Sequence, residues 1–329
     1  MSEGRADYGD VTGEYLAARS GHGIVSGFSE LVWASGIDTV SFLDGQLSQD
    51  VVAMGESTVA RSLLLEPRGK LLALLWLLRG PDRVGLLVGG GGSKGLIEVL
   101  ERFRFRVDVE FEVDERPVIE VWGSDAESTA LRAGFTVGDG WSEQGETVTA
   151  SIPGTLRRVV LLGGDETALQ AAGALRVGGV AADTVRIEAG EPVMGRDVDE
   201  STIPQESGLV SEAVSFTKGC FVGQELVARI DSRGRVNRRL AGVVIGTNIV
   251  PPVGAEVVVA DDVVGTLSTV GESLALRAPV ALAMVHRSAE AGTEVQIRWP
   301  EGSTAATVRQ LPLDDFSGIS HSPNTMTRS

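Results

Sequence analysis

The residues best suited to chemistry lie in Phe216-Thr217-Lys218-Gly219-Cys220-Phe221-Val222-Gly223-Gln224-Glu225-Leu226-Val227-Ala228-Arg229, which holds the only cysteine of the chain. Thr217 and Gly219 break regularity and Gly223 permits a tight approach, whereas Leu226, Val227 and Ile230 recur with helical spacing. The pattern predicts Cys220 just ahead of a helix N-terminus. Free N–H groups and the positive end of the helix dipole favour a thiolate there, and Lys218 and Arg229 would add to that effect. A thiolate attacks or ligates. The bland reading of the same residue is a small, inert, buried hydrophobe.

Lys218-Gly219-Cys220-Phe221 followed by Gly223-Gln224-Glu225 resembles the signature of the YgfZ family, folate-binding proteins related to the T-protein (aminomethyltransferase) of the glycine cleavage system. Further matches are Gly36-Ile37-Asp38, Phe42-Leu43, Gln46-Leu47, Asp50-Val51, Ile187-Glu188-Ala189-Gly190, Ile203-Pro204-Gln205-Glu206, and Arg233-Gly234 with Arg238. The resemblance implies an α+β fold, a T-protein-like folate-binding region of two α/β subdomains followed by a small β-barrel domain. It implies that Glu188 recognises the pterin ring of tetrahydrofolate, a task that suits a carboxylate because it accepts two parallel hydrogen bonds. A solvated glutamate at a helix end is the bland alternative. Arg229, Arg233 and Arg238 belong to an arginine-rich run in an acidic chain; it either neutralises acidic neighbours or receives an anion such as the glutamate tail of folate, which the resemblance favours.

The implied function is a tetrahydrofolate-binding protein supporting assembly or repair of iron-sulfur clusters in client enzymes, with an indirect effect on tRNA modification. Its implied partners are folate and iron-sulfur client or assembly proteins. One departure matters. T-proteins carry an acidic pair, including their catalytic aspartate, just after the glycine of a hairpin where this chain has Ala73 and Leu74. Leucine cannot move protons, so aminomethyl transfer is not expected. A tetrahydrofolate-dependent aminomethyl or other one-carbon transferase is the rival reading, and a redox-sensing scaffold without folate is a third.

The elements that would position these residues follow from periodicity. A strand at Leu31-Val32-Trp33-Ala34, a turn at Gly36 and a helix capped by Asp38 open the fold. Arg61 to Leu65 and Lys70 to Leu78 read as a hairpin across Glu66-Pro67-Arg68-Gly69, the second run apolar on both faces. A strand at Val84 to Val88 leads through Gly89-Gly90-Gly91-Gly92-Ser93-Lys94-Gly95 into a helix. That loop lacks the Gly-Lys-Ser/Thr order of a phosphate loop, so a flexible helix entrance is expected. Strands at Val107 to Val113, Pro117 to Trp122 and Arg157 to Leu162, helices after Asp125 and Asp165, and a helix ended by Gly190 complete the first region. Short strands at Gly242 to Ile245, Ala255 to Ala260, Val263 to Thr269, Val280 to His286 and Glu294 to Trp299 indicate the barrel. The expected division is a mobile start over 1–23, a folate-binding region over 24–239 with a subdomain at about 105–176 inserted, a barrel over 240–312, and a disordered tail over 313–329.

Composition bounds the rest. The chain has 329 residues, 43% of them hydrophobic, and a formal net charge of -16, which repels nucleic acids and anionic membranes at long range. A single cysteine excludes an intrachain disulfide and any cysteine-only metal or iron-sulfur site. His22, His286 and His321 lack metal-ligand spacing, so no metal site is expected. The longest apolar run, Leu71 to Leu78, is too short to span a bilayer, and the cytoplasm is the expected compartment.

Overall fold

In the computed structural model, which describes residues 5–234, 236–314 and 316 apart from the side chains at 232 and 233, the chain begins with α1 (Val11–Ser20). Asp10 caps it by accepting from Gly13 N, and Gly21 ends it at φ 97°. Tyr15, Ala17 and Ala18 are buried, so the expectation of a loosely attached start is corrected for these residues. No apolar stripe marks the helix in the sequence, because its inner face mixes Tyr15 and two alanines with Glu14 and Arg19, which are buried as hydrogen-bonded groups.

The chain continues through β1 (Gly21–Ser26), β2 (Ser29–Ser35), α2 (Thr39–Gln46), β3 (Thr58–Leu65), β4 (Leu71–Arg79), β5 (Arg83–Gly89), α3 (Ser93–Phe103) and β6 (Glu110–Val113). Strands in the order β3-β4-β5-β2-β6 form one antiparallel sheet, with β3 and β4 the expected hairpin. β4 is apolar on both faces because both are covered. Leu75 and Leu77 pack with Leu43 of α2 and Leu96 of α3, whereas Trp76 and Leu78 meet the second sheet. Asp38 precedes α2 as expected, but its carboxylate accepts from Asp108 N (2.9 Å) rather than from the helix.

Next come β7 (Val118–Gly123), α4 (Ala126–Arg132), β8 (Trp141–Gln144), β9 (Thr147–Ile152), β10 (Arg158–Leu162), α5 (Glu166–Ala171), β11 (Leu175–Arg176) and α6 (Gly179–Ala189). The second sheet has the order β11-β1-β7-β10-β9-β8, so its second strand comes from the start of the chain. The β8–β9 hairpin is absent from the periodicity reading because its polar residues outnumber the inward Trp141, Val148 and Ala150. The two sheets stack face to face, with the Trp33 and Trp141 rings 5.5 Å apart.

Short helices α7 (Pro204–Ser207) and α8 (Val210–Ala213) precede α9 (Gln224–Arg233). A closed barrel follows, from β12 (Arg238–Ile245), β13 (Glu256–Val259), β14 (Asp262–Ser273), β15 (Ala278–His286), β16 (Glu294–Trp299) and β17 (Gly302–Arg309), in the order β12-β15-β14-β13-β16-β17. The α+β expectation with a terminal barrel therefore holds. β17 adds a strand that its small Ala and Thr residues concealed. Leu313 N and Asp314 N donate to Glu188 O at 2.7 and 3.2 Å, so the start of the expected tail is pinned to α6; residues 315 and 317–329 lie outside the described residues.

Candidate functional site

The cysteine loop is built from its neighbours inward. Lys218 carries the loop on its ammonium, which donates to Asp44 O (2.5 Å), Leu47 O (3.0 Å) and Gln49 O (2.7 Å) and pairs with the Asp44 carboxylate (3.0 Å). These carbonyls belong to the end of α2 and the turn after it, so the cation satisfies groups that the helix leaves unbonded. Burial pulls the Lys218 pKa below its ordinary value against the opposing pull of Asp44. Lys218 thus serves α2 with all of these bonds. Phe221 is buried against Leu63, Leu65, Leu71 and Val227. Gly223 caps α9 at φ 81°, and Gln224 Oε1 accepts from Phe221 N at 3.3 Å. Gly219 has open space around it and Glu225 is exposed. What remains is Cys220, exposed on the loop just before α9, as the spacing predicts.

Of the arginines expected to bind folate, Arg229 and Arg233 belong to α9 and Arg238 to β12. Arg229 is exposed on α9, and Arg233 closes that helix with a side chain outside the described residues. Arg238 opens β12 and donates to Glu206 Oε1 (2.9 Å) and to Ser201 O and Oγ (3.1 and 3.0 Å). Glu188 is fully buried: its carboxylate accepts from Tyr15 Oη at 2.6 Å and from the Arg19 guanidinium. The Tyr15 hydroxyl is pushed up to about 12 by burial and by its bond to Glu188, so it remains a donor.

The large cavity lies elsewhere, between the face of the first sheet and the start of α6, with a volume of about 670 Å³. Its floor is Leu64, Leu72, Ala73, Leu74 and Trp76, and its rim includes the backbone of the Gly89–Gly92 loop. The amides at Gly91 and Ser93 in that loop already donate to the Glu30 carboxylate (2.8 and 3.0 Å), in keeping with a helix entrance rather than a phosphate cradle. Neither Cys220 nor Glu188, Arg229 or Arg238 lines this space.

At its inner end stands a charged cluster of Arg61 of β3, Arg158 of β10 and Glu191, just after the αL glycine that ends α6. Arg61 grips Glu191 with two bonds of 3.0 and 2.7 Å and lies 5.2 Å from the Trp76 ring centroid. Arg158 pairs with Glu191 at 3.5 Å and with Glu120 at 3.7 Å. Burial opposes ionisation of Glu191, yet the Arg61 and Arg158 guanidiniums outweigh it and hold the carboxyl below the ordinary range. Both arginines are only 6% exposed, and the Nε of each has no hydrogen-bond partner. Two donors are thus left unsatisfied within the buried charge cluster beside the cavity.

The sequence carries a signal for this cluster that periodicity does not register. Arg61, Glu120 and Arg158 each interrupt an apolar strand run, and a charge in a buried strand requires a partner.

With this geometry in view, residues 238–315 match the glycine cleavage T-protein C-terminal barrel domain. The fold is aminomethyltransferase-like. It superposes on the crystal structure of glycine cleavage system aminomethyltransferase T from Bartonella henselae with a TM-score of 0.83 at 23% identity, covering 93% of this chain and 90% of that one. An aminomethyltransferase of Symbiobacterium thermophilum is 36% identical over 184 residues, 55% of this chain and 46% of that protein. The mitochondrial iron-sulfur cluster assembly factor IBA57 homolog of Mycosarcoma maydis is 27% identical over 227 residues, 64% of this chain and 54% of that protein.

Proposed function

We propose that this chain is a YgfZ-like, tetrahydrofolate-binding protein of the cytoplasm that supports assembly or repair of iron-sulfur clusters in client enzymes, with an indirect effect on tRNA modification. The observation that carries the reading is the cavity floor. Ala73 and Leu74 line it where the resemblance places the catalytic carboxylate of a T-protein, so the cavity keeps room for a ligand without that proton-moving group. The likeness to an iron-sulfur cluster assembly factor supports the same choice.

The residues present fit a reduced folate. A cavity of about 670 Å³ lies within the range of about 300–1,000 Å³ that holds a small molecule, and it combines an apolar floor with a few convergent polar groups. The floor residues and Trp76 would hold the ring system, while the charged cluster of Glu191, Arg61 and Arg158 would meet its polar edge. Tetrahydrofolate supplies nucleophilic ring and bridge nitrogens that carry one-carbon units. Cys220 acts apart from this cavity, as an exposed thiol available to a client.

Titration calorimetry of the full chain with tetrahydrofolate tests the binding half of the reading, and absence of binding would sink it. A deletion strain assayed for iron-sulfur enzyme activities, complemented with wild type or Cys220→Ser, tests the rest. Full complementation by the serine variant would remove the thiol from the mechanism. Turnover in a glycine-cleavage exchange assay would favour the transferase instead.

A further inference from the structure

Residues 5–10 lie across the N-terminus of α6. Gly179 N donates to Arg5 O and Val180 N to Ala6 O, each at 3.0 Å. Glu14, only 4% exposed, gathers the surrounding amides: Oε1 accepts from Tyr8 N (2.7 Å) and Asp10 N (3.4 Å), and Oε2 from Gly178 N (2.8 Å). A Cβ on Gly178 would stand 2.5 Å from Ala6 O, so only glycine leaves room for the segment. The seat is therefore built rather than incidental.

On this seat the segment presents Arg5 and Tyr8, both of which line the large cavity. The Arg5 guanidinium lies 5.7 Å from the Tyr8 ring centroid, and Arg176 lies 5.8 Å from the same ring. Arg61, Arg158 and Arg196 of the cavity are each held by a carboxylate, whereas Arg5 makes no ion pair among the described residues. In a chain of net charge -16, a cation left unneutralised at the rim of an amphipathic cavity is placed to meet an anionic group of the occupant.

We propose that residues 5–10 form one wall of the binding cavity and that Arg5 receives a carboxylate at the outer end of the ligand, so that this segment selects folates that carry an anionic tail. The inference rests on the reading that the cavity holds a folate. It makes Arg5 a specificity-determining residue, and Glu14 the residue that positions its segment.

Calorimetry on the full chain compares tetrahydrofolate with tetrahydrobiopterin, a reduced pterin without the aminobenzoylglutamate tail. Arg5→Gln should weaken tetrahydrofolate about fivefold, the upper range for a solvent-exposed ion pair, flatten its salt dependence, and leave tetrahydrobiopterin unchanged. Arg5→Lys should restore most of the loss. Independently, tetrahydrofolate should slow hydrogen exchange at the Gly179 and Val180 amides of the wild type, and Glu14→Gln should speed that exchange. Equal affinity of Arg5→Gln and wild type for tetrahydrofolate, or equal losses for both ligands, would overturn the role of Arg5 while leaving the folate reading intact. Failure of the wild type to bind either ligand would remove that reading and the inference together.

Discussion

Gly69 and Gly223 meet backbone to backbone. A Cβ on Gly223 would stand 3.0 Å from Gly69 Cα and 2.7 Å from Glu66 O, and a Cβ on Gly69 would stand 3.0 Å from Gly223 O and 2.7 Å from Leu226 Cβ. Both residues have left-handed φ, 79° and 81°. The turn of the β3–β4 hairpin is thereby locked to the cysteine loop. Because Leu72, Ala73 and Leu74 of that hairpin form the cavity floor, loop and cavity share one structural member.

Gly223→Ala is expected to destabilise the protein by about 2 kcal/mol or more, since left-handed strain and overlap with Glu66 O act together. Gly219→Ala, with nothing within 4 Å of its added Cβ, should change stability by less than about 0.5 kcal/mol. Chemical denaturation of both variants gives the comparison, and equal losses would refute the close-contact account.

Removing the Glu188 carboxylate should act on stability and not on ligand binding. Glu188→Ala leaves the buried Arg19 guanidinium and Tyr15 hydroxyl without their partner, at a cost of about 3–5 kcal/mol. The folded fraction should bind tetrahydrofolate as the wild type does. A stable variant with weakened affinity would return Glu188 to the binding site.

The alkaline limb of stability should report on Tyr15. Its folded pKa is raised to about 12 from 10.0, so the contribution is fully present below pH 10.0 and is lost as pH rises through about 12. The chain has two tyrosines, Tyr8 exposed and Tyr15 buried. Ultraviolet titration of tyrosinate should therefore show a component near pH 12 that moves to lower pH in Glu188→Gln, where burial still raises the pKa but the carboxylate no longer does. Absence of that late component would contradict the buried hydrogen bond.

Glu191 gives the acid counterpart. Its folded pKa lies below 4.5, so its contribution is present above that value and is lost as pH falls through the lowered pKa. Glu191→Gln should cost about 3 kcal/mol and abolish this acid dependence, because Arg61 and Arg158 lose their shared counter-charge. Urea unfolding across acidic pH gives the profile. Parallel profiles for variant and wild type would show that Glu191 is not the titrating group.

The strands and helices that were legible are those whose apolar residues repeat at a fixed period: β4, β5, α3 and the long barrel strands. The cysteine loop was legible from local glycine chemistry, since Gly223 precedes a helical run. The pairing of charges was not. Arg61 meets a carboxylate 130 residues away, and Arg19 one 169 residues away, so no local period records either contact. The bonds of Lys218 are hidden from local pattern for the same reason, because the carbonyls that hold it lie more than 160 positions upstream. Burying α1 through Glu14 and Arg19 likewise erased the apolar stripe that would have marked it.

α6 receives residues 5–6 at its first turn and residues 313–314 at its last, and Arg19 reaches both Glu188 and Asp314. During synthesis the earliest-made strand, β1, has neither of its neighbours β7 and β11 until they too leave the ribosome, and Arg19 lacks one carboxylate until the barrel is complete. The nascent chain therefore carries an unmated strand edge through much of its translation, which is the period when such edges recruit chaperones or aggregate. The contacts of residues 313–314 with α6 and Arg19 form only after the barrel strands have been made, so they close the seam between the two ends of the described chain late.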